Sequence, residues 1–239
     1  MGKLVTFEQL PYRETAAGIR RAPITGAEVR HMSAEVIRMA PGAKLSESVP
    51  AGSDRYLFTL SGAVEVSAAG ARHKMIEESF ATVQEGEQIA LENSGTGETT
   101  LISVLAPPAQ PGEKLPGFNG GLAVAARKDV PVVDIPDQKK GRVYFAGKEA
   151  ARTERAHAMI VQYVRDTVTG LHMHPDAESM FVFLSGKTRF TVNGADVVVG
   201  RGQATYFPAG DKHGLRVAEG DGVSFLEFHV PGAFTTVRD

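Results

Sequence analysis

A thirteen-residue stretch, Phe58-Thr-Leu-Ser-Gly62-Ala-Val-Glu-Val66-Ser-Ala-Ala-Gly70, returns 124 residues later as Val182-Phe-Leu-Ser-Gly186-Lys-Thr-Arg-Phe190-Thr-Val-Asn-Gly194. Each copy reads as strand, tight turn, strand, tight turn, with glycine supplying the left-handed backbone that the turns need. A unit that occurs twice predicts two similar domains, and 239 residues suit two small ones at roughly 150 residues or fewer each. Further along, Glu85-Gly86-Glu87-Gln88 lines up with Arg201-Gly202-Gln203-Ala204 at an offset of 116, which predicts about eight extra residues in the first copy near His73–Phe80. The Pro- and Gly-rich stretch Pro107–Gly121 reads as a linker. The expected division is residues 1–120 and 121–239.

Apolar runs of strand length recur between Gly, Pro, Asn and Asp: Glu35–Ala40, Tyr56–Leu60, Thr99–Leu105, Ala158–Val164, Met180–Leu184, Asp196–Val199 and Val223–Val230. Helical periodicity is weak, and its best stretch, Ala146–Arg155, reads equally well as a turn. An all-β sandwich or barrel follows. Cysteine is absent, which removes disulfides, thiolate metal sites and cysteine nucleophiles together. The net charge of −2 provides no electrostatic footprint for nucleic acid or an anionic membrane. No window approaches 18 uninterrupted apolar residues, and the N-terminus lacks the apolar core of a secretory signal. Met1, Gly2 and Thr6 fit a loose myristoylation pattern that is too short to weigh. A cytoplasmic protein is expected.

The second copy carries the chemistry. In Gly170-Leu-His172-Met-His174-Pro-Asp-Ala-Glu178, two histidines stand two apart and so project to one side of a strand. Glu178 keeps the even spacing across Pro175-Asp176. In Gly202-x5-Pro208-x-Gly210-x2-His213, a strand ends in a turn that feeds a third histidine into the next strand. Three imidazoles and one carboxylate suit one divalent transition metal ion, with Fe, Mn, Ni, Co and Zn all compatible. A catalytic ion keeps one or two positions open for substrate or water.

His172-x-His174-x3-Glu178 followed by Gly186 resembles the first motif of the cupin family, and Gly202-x5-Pro208-x-Gly210-x2-His213 resembles its second. The resemblance implies a small double-stranded β-helix, or jelly roll, with the ion inside the barrel. With the hairpin repeat it implies two tandem barrels, a bicupin. Three positions depart from the family pattern: Asp166 stands where a leading Gly is usual, Gly186 falls one residue late, and Val217 replaces a common Asn. None is a ligand position. The same offsets in the first copy give Ser48, Pro50, Asp54 and Gly97. No imidazole survives there, so the N-terminal barrel is expected to bind no catalytic ion and to serve as structure or as a dimer interface.

Met180, Val182 and Leu184 share parity with Glu178, which predicts a partly apolar wall beside the metal, with Phe181 and Phe183 on the other face. A strand apolar on both faces is covered on both, by the twin barrel or another subunit. Gln162, Tyr163 and Tyr206 are candidate polar substrate contacts, with Met180 beside them. Glu227 and His229 alternate with Leu226, Phe228 and Val230, which argues against His229 in the pocket. Arg189, opposite Phe190 and Val192 in the same way, is expected on the surface, and His31, His73 and His157 show no ligand pattern.

Two enzyme readings and one binding reading follow. A redox-active ion in a dry barrel would bind an enolate-like substrate and engage dioxygen, as many cupins with this ligand set do, while others are oxalate-type decarboxylases. Glu178 would then take a proton. Alternatively, a Lewis-acid ion would serve isomerase, lyase or aminohydrolase chemistry. The chain's length and tandem arrangement resemble ureidoglycine aminohydrolases, whose Glu-x-His-x3-His…Gln set differs from His172, Glu178 and His213 here. The third reading is a non-catalytic bicupin that holds a small ligand. The expected partners are a small-molecule substrate and, as a homodimer, a second copy of the chain.

Overall fold

The computed structural model describes residues 1–107, 112–148, 150–217, 220 and 222–238. Of the linker read at 107–121, residues 108–111 lie outside the described residues. So does residue 149 of the stretch 146–155, whose described residues form turns and an isolated bridge between Ala146 and Ala151. The chain is all-β, with three short 3-10 turns among the described residues. Among the described residues no helix is long and apolar enough to cross a membrane.

Eleven strands precede the described end of the first half: β1 Lys3–Thr6, β2 Arg13–Ala16, β3 Ile19–Pro23, β4 Ser33–Met39, β5 Lys44–Ser48, β6 Asp54–Ser61, β7 Val64–Ala68, β8 Ala71–Met75, β9 Ser79–Val83, β10 Gln88–Glu92 and β11 Thr99–Ala106. The second half repeats the order with β12 Leu122–Ala126, β13 Val133–Ile135, β14 Lys140–Ala146, β15 His157–Val164, β16 Val168–Met173, β17 Glu178–Val192, β18 Ala195–Gly200, β19 Gln203–Phe207, β20 His213–Arg216, β21 Gly222–Val230 and β22 Val237–Arg238. Each half curls into a double-stranded β-helix barrel. The strand runs expected from the sequence fall within these elements, except that Glu35–Ala40 runs one residue past β4.

The repeat is exact in backbone role. Gly62 and Gly186 both take a left-handed φ, +79° and +71°. At Gly186 a Cβ would collide with the Gly222 carbonyl oxygen, so glycine is required there on both counts.

Strand register overturns the inferred eight-residue insertion. Arg55 pairs with Val83 and Ser179 with Phe207, so the 124-residue offset runs unbroken through β9 and β19. Gly202 therefore corresponds to Glu78, which takes φ +59°, and Gly86 corresponds to Gly210, at +80° and +82°. The shared Gly after a charged residue gave a local match at the wrong register.

Two strand pairings cross the boundary expected at residue 120. β1 pairs with β19 of the second barrel, and β12 pairs with β9 of the first. The loops that follow repeat the exchange: Phe7 donates its N–H to Gly202 O at 2.9 Å and Arg127 to Glu78 O at 3.0 Å. Each barrel thus lends its first strand to its twin.

Three apolar cores result among the described residues. One fills the first barrel around Ile37, Met39, Leu57 and Ile89. A second fills the other barrel around Phe183, Phe190 and Phe225. The third lies between the two, joining Tyr56, Phe58 and Phe80 to Met180, Val182, Leu184 and Phe228. The double-faced apolar strand is therefore covered by the twin barrel.

Candidate metal centre

β16 and β20 lie antiparallel with His172 directly opposite His213. His174 follows β16 at the start of the turn to β17. The three rings sit with centroids 4.4 Å apart for His172 and His213, 5.2 Å for His172 and His174, and 5.3 Å for His174 and His213. One ligand atom from each lies within 4.8 Å of the other two.

The hydrogen bonds orient all three alike. Nδ1 of His172 faces Gly170 O at 2.9 Å, Nδ1 of His174 faces Thr235 O at 3.0 Å, and Nδ1 of His213 faces Asp211 O at 3.2 Å. A carbonyl only accepts, so each Nδ1 carries the proton and each Nε2 keeps a lone pair. Nε2 of His213 is buried without any hydrogen-bond partner, a group that a metal ion would satisfy. Burial lowers the pKa of all three, reinforced at His174 by the charge of His229 and at His213 by that of His172, to about 4 and about 3 respectively. Neutral imidazoles are the ligand form.

Glu178 is not brought to this cluster. Its carboxylate accepts the N–H of Arg30 and, at 2.9 Å, that of His31, in a loop of the first half. Burial raises its pKa against the downward pull of those amides. The Pro175-Asp176 turn breaks the parity that linked Glu178 to the histidine pair. β17 then places Ser179, Phe181 and Phe183 toward the barrel interior and Glu178, Met180 and Val182 toward the twin. The same inversion removes Met180 and Tyr206 from the pocket. Both belong to the core between the barrels, and Tyr206 bonds to Glu28. Gln162, on the opposite face of β15 from Val161 and Tyr163, is not among the pocket residues, whereas Tyr163 is.

His229 and Glu227 do line the pocket, contrary to the parity reading. Leu226, Phe228 and Val230 point to the twin barrel, so the polar alternates point inward. His229 stacks edge-on to His174 at 4.5 Å between centroids. Its Nε2 lies 2.6 Å from Glu227 Oε1 and its Nδ1 3.0 Å from Ser179 Oγ, so both nitrogens are engaged and neither is free to ligate. Burial works to raise the pKa of Glu227, but the His229 hydrogen bond and the charges of His229 and Arg142 overcome it and hold the carboxyl at about 2.

The C-terminal tail completes the site. Phe234 stacks on His229 at 4.0 Å. Thr235, whose carbonyl serves His174, donates its N–H and hydroxyl to the Asp176 carboxylate at 2.8 and 2.7 Å. Short polar residues in a tail leave no periodic signal. The resulting cavity, about 130 Å³, is lined by the three histidines, Phe181, Phe190, Phe225, Glu227, His229 and the cations Lys140, Arg142 and Arg238.

In the first barrel, register places Ser48 opposite Gln88 as His172 is opposite His213, which corrects the assignment of Gly97. Ser48 and Gln88 hydrogen-bond to each other. Glu35 and Ser103 occupy the places of Met159 and Glu227. There Arg21 and Arg55 bind Glu47 at 3.0 and 3.3 Å, Arg21 Nε binds Glu35 at 2.9 Å, and Arg55 binds Ser103 at 2.8 Å. An ion-pair network stands where the second barrel has its cavity.

Residues 159–229 match a family model described as a cupin domain. A comparison with curated protein sequences gives no match. Among solved structures, the chain is similar to a putative glyoxylate-induced protein from Pseudomonas aeruginosa, at 16% identity and a TM-score of 0.78 over 100% of this chain and 92% of that one. It is similar to Lactobacillus farciminis oxalate decarboxylase in a formate complex, at 12% identity and 0.74 over 98% and 88%. It is also similar to a cupin 2 conserved barrel domain protein from Leptotrichia buccalis, at 14% identity and 0.70 over 95% and 96%. At these identities the likeness is one of fold. Residues 159–229 thus carry a cupin domain, and the chain as a whole shares the fold of these solved structures.

Proposed function

We propose that the second barrel is a metal-dependent enzyme centre for a small organic substrate, with His172, His174 and His213 holding one divalent transition ion. The observation that carries this reading is the triad itself: three neutral imidazoles, each anchored through Nδ1 to a backbone carbonyl, with the His213 Nε2 buried and unpartnered. Borderline nitrogen donors suit Fe, Mn, Ni, Co or Zn. Such an ion, when bound, supplies Lewis acidity or redox chemistry at the positions that three ligands leave open.

The residues around the triad favour a dioxygenase-type reaction. Phe181, Phe190 and Phe225 line the cavity, an apolar surface of the kind that limits water around a reactive intermediate. A redox-neutral isomerase or lyase is the second reading, favoured by the Glu227–His229 pair, which can hold and pass a proton beside the substrate. An aminohydrolase of the ureidoglycine kind loses support, because Glu178 lies away from the triad.

An oxygen electrode separates these readings. Protein loaded with Fe(II), Mn(II), Ni(II), Co(II) or Zn(II) is screened against small carboxylates and enols in air and in anaerobic buffer. Oxygen uptake that disappears in His213→Ala is the expected result. Turnover that persists without oxygen selects the redox-neutral reading. A full equivalent of metal with no turnover in either buffer would contradict the enzyme reading.

A further inference from the structure

The cavity of the second barrel is unbalanced in charge. Lys140 and Arg142, two apart on β14, and Arg238 on β22 all line it, and Glu227 is the one carboxylate among the lining residues. Counting these groups, the wall carries a net charge of +2, before any ion is added at neutral histidines. Among the described residues none of the three cations enters an ion pair. Arg142 donates from Nη1 to the Tyr144 hydroxyl at 3.1 Å, and its Nε is buried with no hydrogen-bond partner. A buried guanidinium N–H without an acceptor costs on the order of 1–3 kcal/mol, and a carboxylate is the acceptor that matches the guanidinium fork.

The remaining wall limits what carries that carboxylate. Phe181, Phe190, Phe225, Met159 and Val161 are apolar. The cavity volume of about 130 Å³ is close to the roughly 150 Å³ of a cavity that takes up benzene. Lys140 lies over the Tyr163 ring, its Nζ 5.9 Å from the centroid. Its pKa is lowered by burial first and then by the charges of Arg142 and Arg238, a repulsion that a bound anion would relieve.

We propose that Arg142, with Lys140 and Arg238, forms a subsite for the carboxylate of a small organic acid whose apolar part packs on the phenylalanine wall. This deepens the enzyme reading and rests on it for the role of the triad. It makes the substrate an anion of about the size of benzoate, held in the same cavity as the triad.

Benzoate and its neutral counterpart benzamide test the charge term directly. Binding of each is measured by calorimetry to the full chain, metal-free and zinc-loaded, as wild type, Arg142→Gln and Arg142→Lys. The wild type is expected to prefer benzoate over benzamide at least tenfold in both forms. Arg142→Gln should erase the preference, and Arg142→Lys should restore part of it, while zinc stoichiometry is the same in all three. Equal affinity for the two compounds, or a preference that survives Arg142→Gln, would overturn the proposal. A wild type that takes up no zinc yet keeps the preference would sustain the carboxylate subsite and remove the metal reading instead.

Discussion

Replacing His213 with alanine is expected to abolish metal binding while both barrels remain folded. The His213 ring is buried against Phe207 and Phe181, with centroids 4.6 and 5.3 Å away. Losing even an outer hydrogen-bond partner of a ligand costs about 10–100-fold in metal affinity. Losing the ligand itself should exceed that, to below detection in a micromolar titration. The fold should survive because the deleted group is an imidazole whose Nε2 has no partner in the protein. Its removal leaves a cavity costing about 1–3 kcal/mol and takes a hydrogen bond only from the Asp211 carbonyl that Nδ1 faces. The same result is expected for His172→Ala. Circular dichroism with an elemental assay of the dialysed protein checks both. A full equivalent of metal retained by either variant would contradict the assignment.

The second large effect lies far from the triad. Asp54 and Glu178 are the first residues of the equivalent strands β6 and β17, and each clamps a loop of the other half. Asp54 accepts Arg155 Nη1 at 2.9 Å, Thr153 Oγ1 at 2.7 Å and the Phe118 N–H at 2.9 Å. Asp54→Ala leaves a buried guanidinium short of its main counter-charge, which costs about 3–5 kcal/mol out of a typical total of about 5–15. Glu178→Ala orphans two amides instead, at about 1–3 kcal/mol each. Thermal melts should therefore drop by several degrees in both variants, with Asp54→Ala the larger, while metal stoichiometry stays at the wild-type value. Metal loss in Glu178→Ala would restore that carboxylate as a ligand. Metal loss in Asp54→Ala would place an ion in the first barrel.

The pattern of what could be read from the sequence follows from parity. His172 and His174 stand two apart on one strand, and His213 is delivered by a Pro/Gly turn, so local spacing alone brought them together. Glu178 has the same even spacing, but the turn at Pro175-Asp176 resets which way the following strand faces. The inference built on its parity inverted with it: Met180 moved to the core between the barrels and Phe181 moved into the pocket. A central strand apolar on both faces gives no internal sign of which face meets its own barrel. The signal that was available lay in β21, where Glu227 and His229 alternate with Leu226 and Phe228. A polar alternate on a strand buried on both sides marks a wet cavity rather than solvent. The reciprocal exchange of β1 and β12 was beyond sequence reading, because pairing between strands that are not neighbours in sequence leaves no mark in either one.

The central claim is that three imidazoles, without Glu178, make the metal site. X-ray absorption at the metal edge of cobalt- or zinc-loaded protein, prepared without a histidine tag, measures this most directly. The account predicts one ion per chain with three histidine nitrogens and the remaining ligands light oxygen donors, and the same spectrum from Glu178→Gln. Fewer than three imidazoles, a spectrum that changes in Glu178→Gln, or no uptake of either metal would contradict it.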